Sequence, residues 1–224
     1  MIVVTGAGGT PEDCALYRRI IDKQAEKCKE FGYSRMVFDL GGLGHGTPFA
    51  VPKGDFDPQV NGDSLPAATF KAALVAEALY AALPGELVMW MDADCIPLKE
   101  FEPPGTFNAA VTLRSDAEIG LSNNRSLDFL NSGVVWIRNN ERGRVLCERW
   151  RALSAAMNTD QGALNEAVAP GAQANKWKEL RGKVHNGVLV LDAMEWNRWF
   201  PPPSPCTRIL HFKRGIRGQA VNYL

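Results

Sequence analysis

The chain has 224 residues, 46% of them hydrophobic and 22% charged, the balance of a soluble globular protein rather than a disordered or membrane-spanning one. Twenty-five basic residues face twenty-five acidic ones, so no overall field recruits nucleic acid or an anionic membrane surface. The length suits one large domain or two small ones, and no apolar run approaches the ~20 residues that cross a bilayer.

Met1-Ile2-Val3-Val4 opens as a strand and breaks at Thr5-Gly6 without a basic leader, which argues against a signal peptide. The cysteines (Cys14, Cys28, Cys95, Cys147 and Cys206) lack C-x-x-C spacing. Neither a disulfide framework nor a structural zinc site is therefore expected, and a reducing cytoplasm fits. A catalytic segment of a longer protein fits equally. The turn Thr5-Gly6-Ala7-Gly8-Gly9-Thr10 invites a dinucleotide reading, with Asp39 at the ribose position. However, Pro11 stands where the third glycine of G-x-G-x-x-G belongs, and the P-loop Lys-Ser/Thr pair is absent. What remains is a strand-end turn that brings Thr5 and Gly6 against a nucleotide base or ribose.

Pro11 to Phe31 has a helical pattern, with Pro11 suited to a first turn and Glu12 and Asp13 to its positive end. Gly32 ends it, and Arg35 to Leu40 reads as a second strand. Residues 41–66 are glycine-rich and hold Pro48, Pro52, Pro58 and Pro66, the makings of a long functional or mobile loop. Ala67 to Leu83 is helical by its alanines and leucines and feeds Leu87-Val88-Met89-Trp90-Met91. Five consecutive apolar residues between Pro84-Gly85 and Pro97 predict a fully buried strand. Asn108 to Leu113 and Leu130 to Ile137 read as further strands, Glu141 to Met157 and Asp160 to Val168 as helices. Val188 to Leu191 and Arg208 to Leu210 are short apolar segments. Early alternation of strand and helix, then a more mixed second half, predicts one mixed α/β domain.

The buried strand delivers Asp92-Ala93-Asp94. Ligands of open α/β sheets sit beyond the carboxyl ends of strands, and two carboxylates there are costly unless something positive lies between them. A hard divalent cation carrying a phosphate ligand is the natural occupant. The plainer alternative has one aspartate capping the turn and the other solvated.

Four features follow one another: Asp92-Ala93-Asp94, then Asn131-Ser132-Gly133 within an apolar strand, then Asp160-Gln161, then His211-Phe212-Lys213-Arg214-Gly215. The ordered set resembles the GT-A glycosyltransferases, especially the retaining families that include glycogenin and bacterial α-galactosyltransferases, over Met1 to about Gly218. The resemblance implies a single GT-A-like (Rossmann-like) domain with a mixed, mainly parallel central sheet flanked by helices. It implies a nucleotide-binding half (1–98) and an acceptor-binding half (99–224). The implied activity is metal-dependent transfer of a sugar from a nucleotide-diphosphate donor, UDP-linked, to a glycan or other hydroxyl acceptor.

Carried over position by position, Asp92, Asp94 and His211 are the ligands of Mn2+ or Mg2+. Asp160 and Gln161 lie near the donor's anomeric carbon, although Asp160 also suits a helix N-cap. Asn131 and Ser132 offer polar groups to substrate hydroxyls, and Lys71 meets the donor. Lys213, Arg214 and Arg217 are placed to cradle the diphosphate, unless they form a solvated basic tail. The family's glycine follows its histidine by three residues and its lysine by six, whereas Gly215 is four away and Arg217 takes the sixth place. Few apolar anchors lie between His211 and Gly218, which predicts a mobile segment without donor. Tyr17, Trp136, Trp196 and Trp199 read as packing residues, with one tryptophan beside Asn197 able to stack on an acceptor. No residue stands out as a base, which fits a retaining transfer.

Three other readings stay open. A sugar nucleotidyltransferase also places carboxylates and Mg2+ at strand ends, but Glu12-Asp13 is acidic where it would hold triphosphate. A phosphatase of the haloacid-dehalogenase type uses D-x-D, but near the N-terminus and without Cys95-Ile96 after it. A non-catalytic module that binds nucleotide sugars or glycans has the same sequence features.

Overall fold

The computed structural model describes residues 1–7, 11–39, 70–114, 129–170, 177–199, 202–212 and 214–224. The long loop expected at 41–66, the turn at Gly8–Thr10 and Lys213 lie outside the described residues.

A seven-stranded sheet, ordered β2-β1-β3-β6-β5-β8-β7, is the centre of the fold. Its strands are β1 (Ile2–Ala7), β2 (Ser34–Asp39), β3 (Leu87–Met91), β5 (Ala109–Leu113), β6 (Leu130–Arg138), β7 (Val184–His185) and β8 (Val188–Asp192). β1 pairs in parallel with both β2 and β3, and β5 with β8, whereas β6 runs antiparallel between β3 and β5. β7 is antiparallel to β8. Five of the seven strands thus point one way, and the mixed, mainly parallel sheet anticipated from the resemblance is what the chain forms.

Alternation along the strands explains why β3 is apolar without interruption. Val88 and Trp90 face one side, with α2 (Lys71–Ala81), α3 (Glu141–Met157) and α4 (Asp160–Val168). Leu87, Met89 and Met91 face the other, with Phe101, Phe107, Trp136 and Trp196. A sheet covered on both faces has no polar face to show. Helix α1 (Pro11–Glu30) supplies Tyr17, Ile20 and Ile21 to a third cluster with Ile96, Leu210, Phe212 and Ala220.

Helices α3 and α4 span the residues that periodicity indicated. Asn140 caps the first, its side chain accepting from the Gly143 amide, and Asn158 ends it in a left-handed turn at φ 51°. Several elements depart from the sequence reading, two of them at the D-A-D end of the fold. Cys95–Pro97 is a strand, β4, paired antiparallel with β9 (Ile209–His211) in a small second sheet. Residues Arg214–Tyr223 form a 3-10 helix rather than a loose tail. Phe212 and Ala220 are both buried, and Tyr223 stands beside the Phe212 ring. The apolar anchors that hold this segment lie partly beyond Gly218, outside the window that looked unanchored.

Candidate active site

Everything in the site hangs on the end of β3. Asp92 follows Met91, and its amide donates to the Gly133 carbonyl on neighbouring β6 at 2.9 Å. The Cys95 amide closes a turn onto the Asp92 carbonyl at 3.0 Å, and the chain re-enters a sheet as β4. Gln24, wholly buried on α1, donates to the carbonyls of Asp92 (3.0 Å) and Cys95 (2.8 Å). One amide thereby clamps both ends of the turn.

Pairing of β4 with β9 sets Cys95 opposite His211. His211 Nε2 lies 3.0 Å from Asp94 Oδ1 and 3.4 Å from Asp92 Oδ2, yet this buried nitrogen has no hydrogen-bond partner of acceptable geometry among the described residues. Space for it exists because residue 133 is glycine. A Cβ there would sit 2.7 Å from His211 Nδ1 and 3.0 Å from Asp92 Oδ2, with Cε1 closer still. Among the described residues, one group of metal-capable atoms converges: Asp94, Cys95 and His211, all within 4.8 Å of one another. The Cys95 thiol, 4.0 Å from the Gly133 carbonyl, gave no sequence signal beyond its place next to Asp94. An imidazole nitrogen facing two carboxylates, in a cradle that a methyl group would fill, fits a divalent cation.

Asp92 is held from its other side. Its Oδ1 accepts from Trp90 Nε1 at 2.7 Å and stands 2.8 Å from Lys71 Nζ. Lys71 also reaches Asp160 Oδ2 at 2.7 Å. Burial works against the ammonium, but Asp160 and Asp92 outweigh it and hold its pKa above the ordinary lysine range. Ser132 donates to Asp160 Oδ2 at 2.6 Å, and the Asp160 carbonyl accepts from Trp150 Nε1 at 2.8 Å. Lys71 therefore bridges the D-A-D turn to the D-Q pair through protein contacts, where the sequence reading had it meeting the donor. Ser132 likewise has Asp160 for a partner, and Asn131 Oδ1 accepts from the Gly133 amide at 2.8 Å.

Thr5 is buried in β1, one step beyond the Val4–Trp90 pair, and its hydroxyl has no partner among the described residues. Gly6 follows it, half-buried, toward the carboxyl end of the same strand. Gln161 is half-buried at the second position of α4. Arg217 Nε lies 3.2 Å from Asp94 Oδ2, its guanidinium 5.6 Å from the centre of the Tyr17 ring. Trp196 is buried edge-on against Trp136, so it is no platform for an acceptor. Trp199 is half-buried.

The sequence profile of nucleotide-diphospho-sugar transferases matches residues 83–201, more than half of the chain. The chain belongs to the nucleotide-diphospho-sugar transferase family. The matched stretch carries the D-A-D turn, the Asn-Ser-Gly strand and the Asp160-Gln161 pair of this transferase. No curated protein matches it in sequence.

Solved structures place the fold. A glycosyltransferase involved in glycosylation of the major capsid of PBCV-1 matches with TM-score 0.56 at 10% identity, over 99% of this chain and 97% of that one. The galactosyltransferase LgtC, solved with donor and acceptor sugar analogues, matches with TM-score 0.51 at 11% identity, over 96% and 88%. The glycosyltransferase GlyE of Streptococcus pneumoniae matches with TM-score 0.50 at 13% identity, over 100% of this transferase but 60% of GlyE. At such identities the likeness establishes the fold, which is GT-A. No helix among the described residues is long and apolar enough to cross a membrane.

Proposed function

We propose that this glycosyltransferase moves a sugar from a UDP-sugar to a hydroxyl acceptor, with retention, using Mn2+ or Mg2+ held by Asp92, Asp94 and His211. The observation that carries the proposal is the buried His211 Nε2, unpartnered among the described residues and facing both aspartates beside Gly133. When bound, the cation supplies Lewis acidity toward the leaving diphosphate. The chain's own residues do the rest. Lys71 neutralises and spaces Asp92 and Asp160. Arg217, beside Asp94, exchanges that carboxylate for phosphate oxygens and, with Lys213, offsets the charge that develops on the diphosphate.

Thr5 and Gly6 contact the nucleotide, and Gln161, Asn131 and Ser132 the donor sugar. Asp160 favours retention: its carboxylate is committed to Lys71 and Ser132, which makes it a poor proton acceptor for an incoming hydroxyl. Residues 1–98 form the nucleotide half and 99–224 the acceptor half, with β9 closing His211 onto the D-A-D turn between them. A cytoplasmic location belongs to the same proposal.

Thermal melts with UDP, Mn2+, both, and neither test it. Each ligand completes the other's site, so the joint shift should exceed the sum of the single shifts. Saturation at a hundred times the dissociation constant is worth about 2.7 kcal/mol. Asp94→Asn should remove the synergy and the Mn2+-dependent turnover while the apo protein stays folded. A folded Asp94→Asn protein with wild-type turnover makes the ligand assignment wrong. Synergy without any turnover makes the chain a nucleotide-sugar-binding module.

A further inference from the structure

The proposed metal ligands leave one buried polar chain unexplained, Thr112–Asn197–His211. Asn197 and Thr112 are both wholly buried. Asn197 Nδ2 donates to Thr112 Oγ1 at 3.1 Å, which turns Oδ1 toward His211 Nδ1 at 2.9 Å. We propose that Asn197 is a positioning residue for His211, fixing the proton on Nδ1 and thereby presenting a bare Nε2 to the cation. The inference rests on the metal reading above.

An amide oxygen only accepts, so the ring nitrogen facing it must carry a hydrogen. A neutral imidazole has one such hydrogen, and with Nδ1 holding it the lone pair falls on Nε2. Imidazole side chains free in water favour the opposite form, so the protein has to impose this one. The backbone holds both partners in place. The Asn197 amide donates to Ala193 at 2.9 Å, Arg198 to Ile209 at 2.9 Å, and His211 to Arg198 at 2.8 Å. Thr112 lies where the β5–β6 register shifts, and such bulges re-aim side chains beside functional sites. Gly133 leaves the imidazole room for this placement, since a Cβ there would meet its Nδ1 at 2.7 Å. Outer partners of this kind tune a metal ligand, and their loss commonly weakens metal binding 10–100-fold.

The test pairs nitrogen-15 NMR of the metal-free protein with Mn2+ titration followed by electron paramagnetic resonance. His211 signals are assigned by their loss in His211→Gln. Wild type should show a protonated Nδ1, and Asn197→Leu should lose that preference and bind Mn2+ about 10–100-fold more weakly. Asn197→Asp, which still accepts at Nδ1, should hold affinity within about threefold of wild type by the same reasoning. A bare Nδ1 in wild type overturns the inference, even where Asn197→Leu fails to fold. A folded Asn197→Leu with wild-type affinity, or an Asn197→Asp as weak as Asn197→Leu, overturns it as well. His211→Gln separates the two levels, because wild-type Mn2+ affinity in that variant removes His211 from the metal site itself.

Discussion

Replacing Gly133 with alanine drives one methyl group into the floor of the site. The added carbon meets His211 Nδ1 at 2.7 Å and Asp92 Oδ2 at 3.0 Å, inside the contact distance of carbon with either atom. Neither neighbour yields easily: Asn197 holds the imidazole, and Trp90 with Lys71 holds the carboxylate. The glycine cannot retreat either, because its carbonyl and amide are bonded to Asp92 and Asn131. Overpacking of this kind costs about 1–3 kcal/mol, or about 2–12 °C in Tm for a domain of this size. Urea unfolding in EDTA measures that cost without the cation, and Mn2+ titration should show affinity reduced at least about tenfold as the imidazole is displaced. In a His211→Ala background the main collision is gone. Gly133→Ala should then cost less than about 1 kcal/mol, with a coupling energy within the 0.5–3 kcal/mol typical of touching residues. An equal cost in both backgrounds, or wild-type Mn2+ affinity in the single variant, refutes the cradle.

Lys71→Met leaves Asp92 and Asp160 facing each other without their shared cation, so the metal-free protein should lose about 3–5 kcal/mol. Mn2+ should restore part of that loss, and a variant as stable as wild type in EDTA would remove Lys71 from the role of counter-ion. Cys28 makes stability depend on pH. Burial pushes its thiol up to about 11, against an ordinary value of 9.0. The unfolded chain therefore gives up this proton first: the stabilisation is whole below about pH 9 and is lost as pH rises toward 11, about 3 kcal/mol in all. Urea melts at pH 8 and pH 10.5 should show the decline, and Cys28→Ala should make it shallower, the remainder coming from Cys147 and Tyr33, whose groups burial raises as well. Equal slopes for the two proteins would exclude Cys28 as the cause.

The sequence was most legible where the signal is local. Helices α3 and α4 could be read closely from the sequence, because helical spacing is a property of neighbouring positions. The buried strand Leu87–Met91 was equally plain, since a strand covered on both faces has no polar alternation to disguise it. The ordered motifs that marked a GT-A glycosyltransferase are local too, each a few residues long.

Strand β4 was invisible because Cys95-Ile96-Pro97 is a strand only by virtue of β9, more than a hundred residues later in the chain. The same pairing is what carries His211 to Asp94. The sequence announced Lys71 as a cation but not that Asp92 and Asp160 share it, and it held no sign that Gln24 clamps the turn or that Asn197 faces the imidazole. By itself the sequence determined the long helices and the buried central strands, and which residues are chemically able to hold a cation and a diphosphate. Tertiary structure alone decided which of them meet. Propensity and periodicity act over one turn or one pleat, whereas a metal site is made of side chains that only strand pairing and core packing bring within a few ångströms.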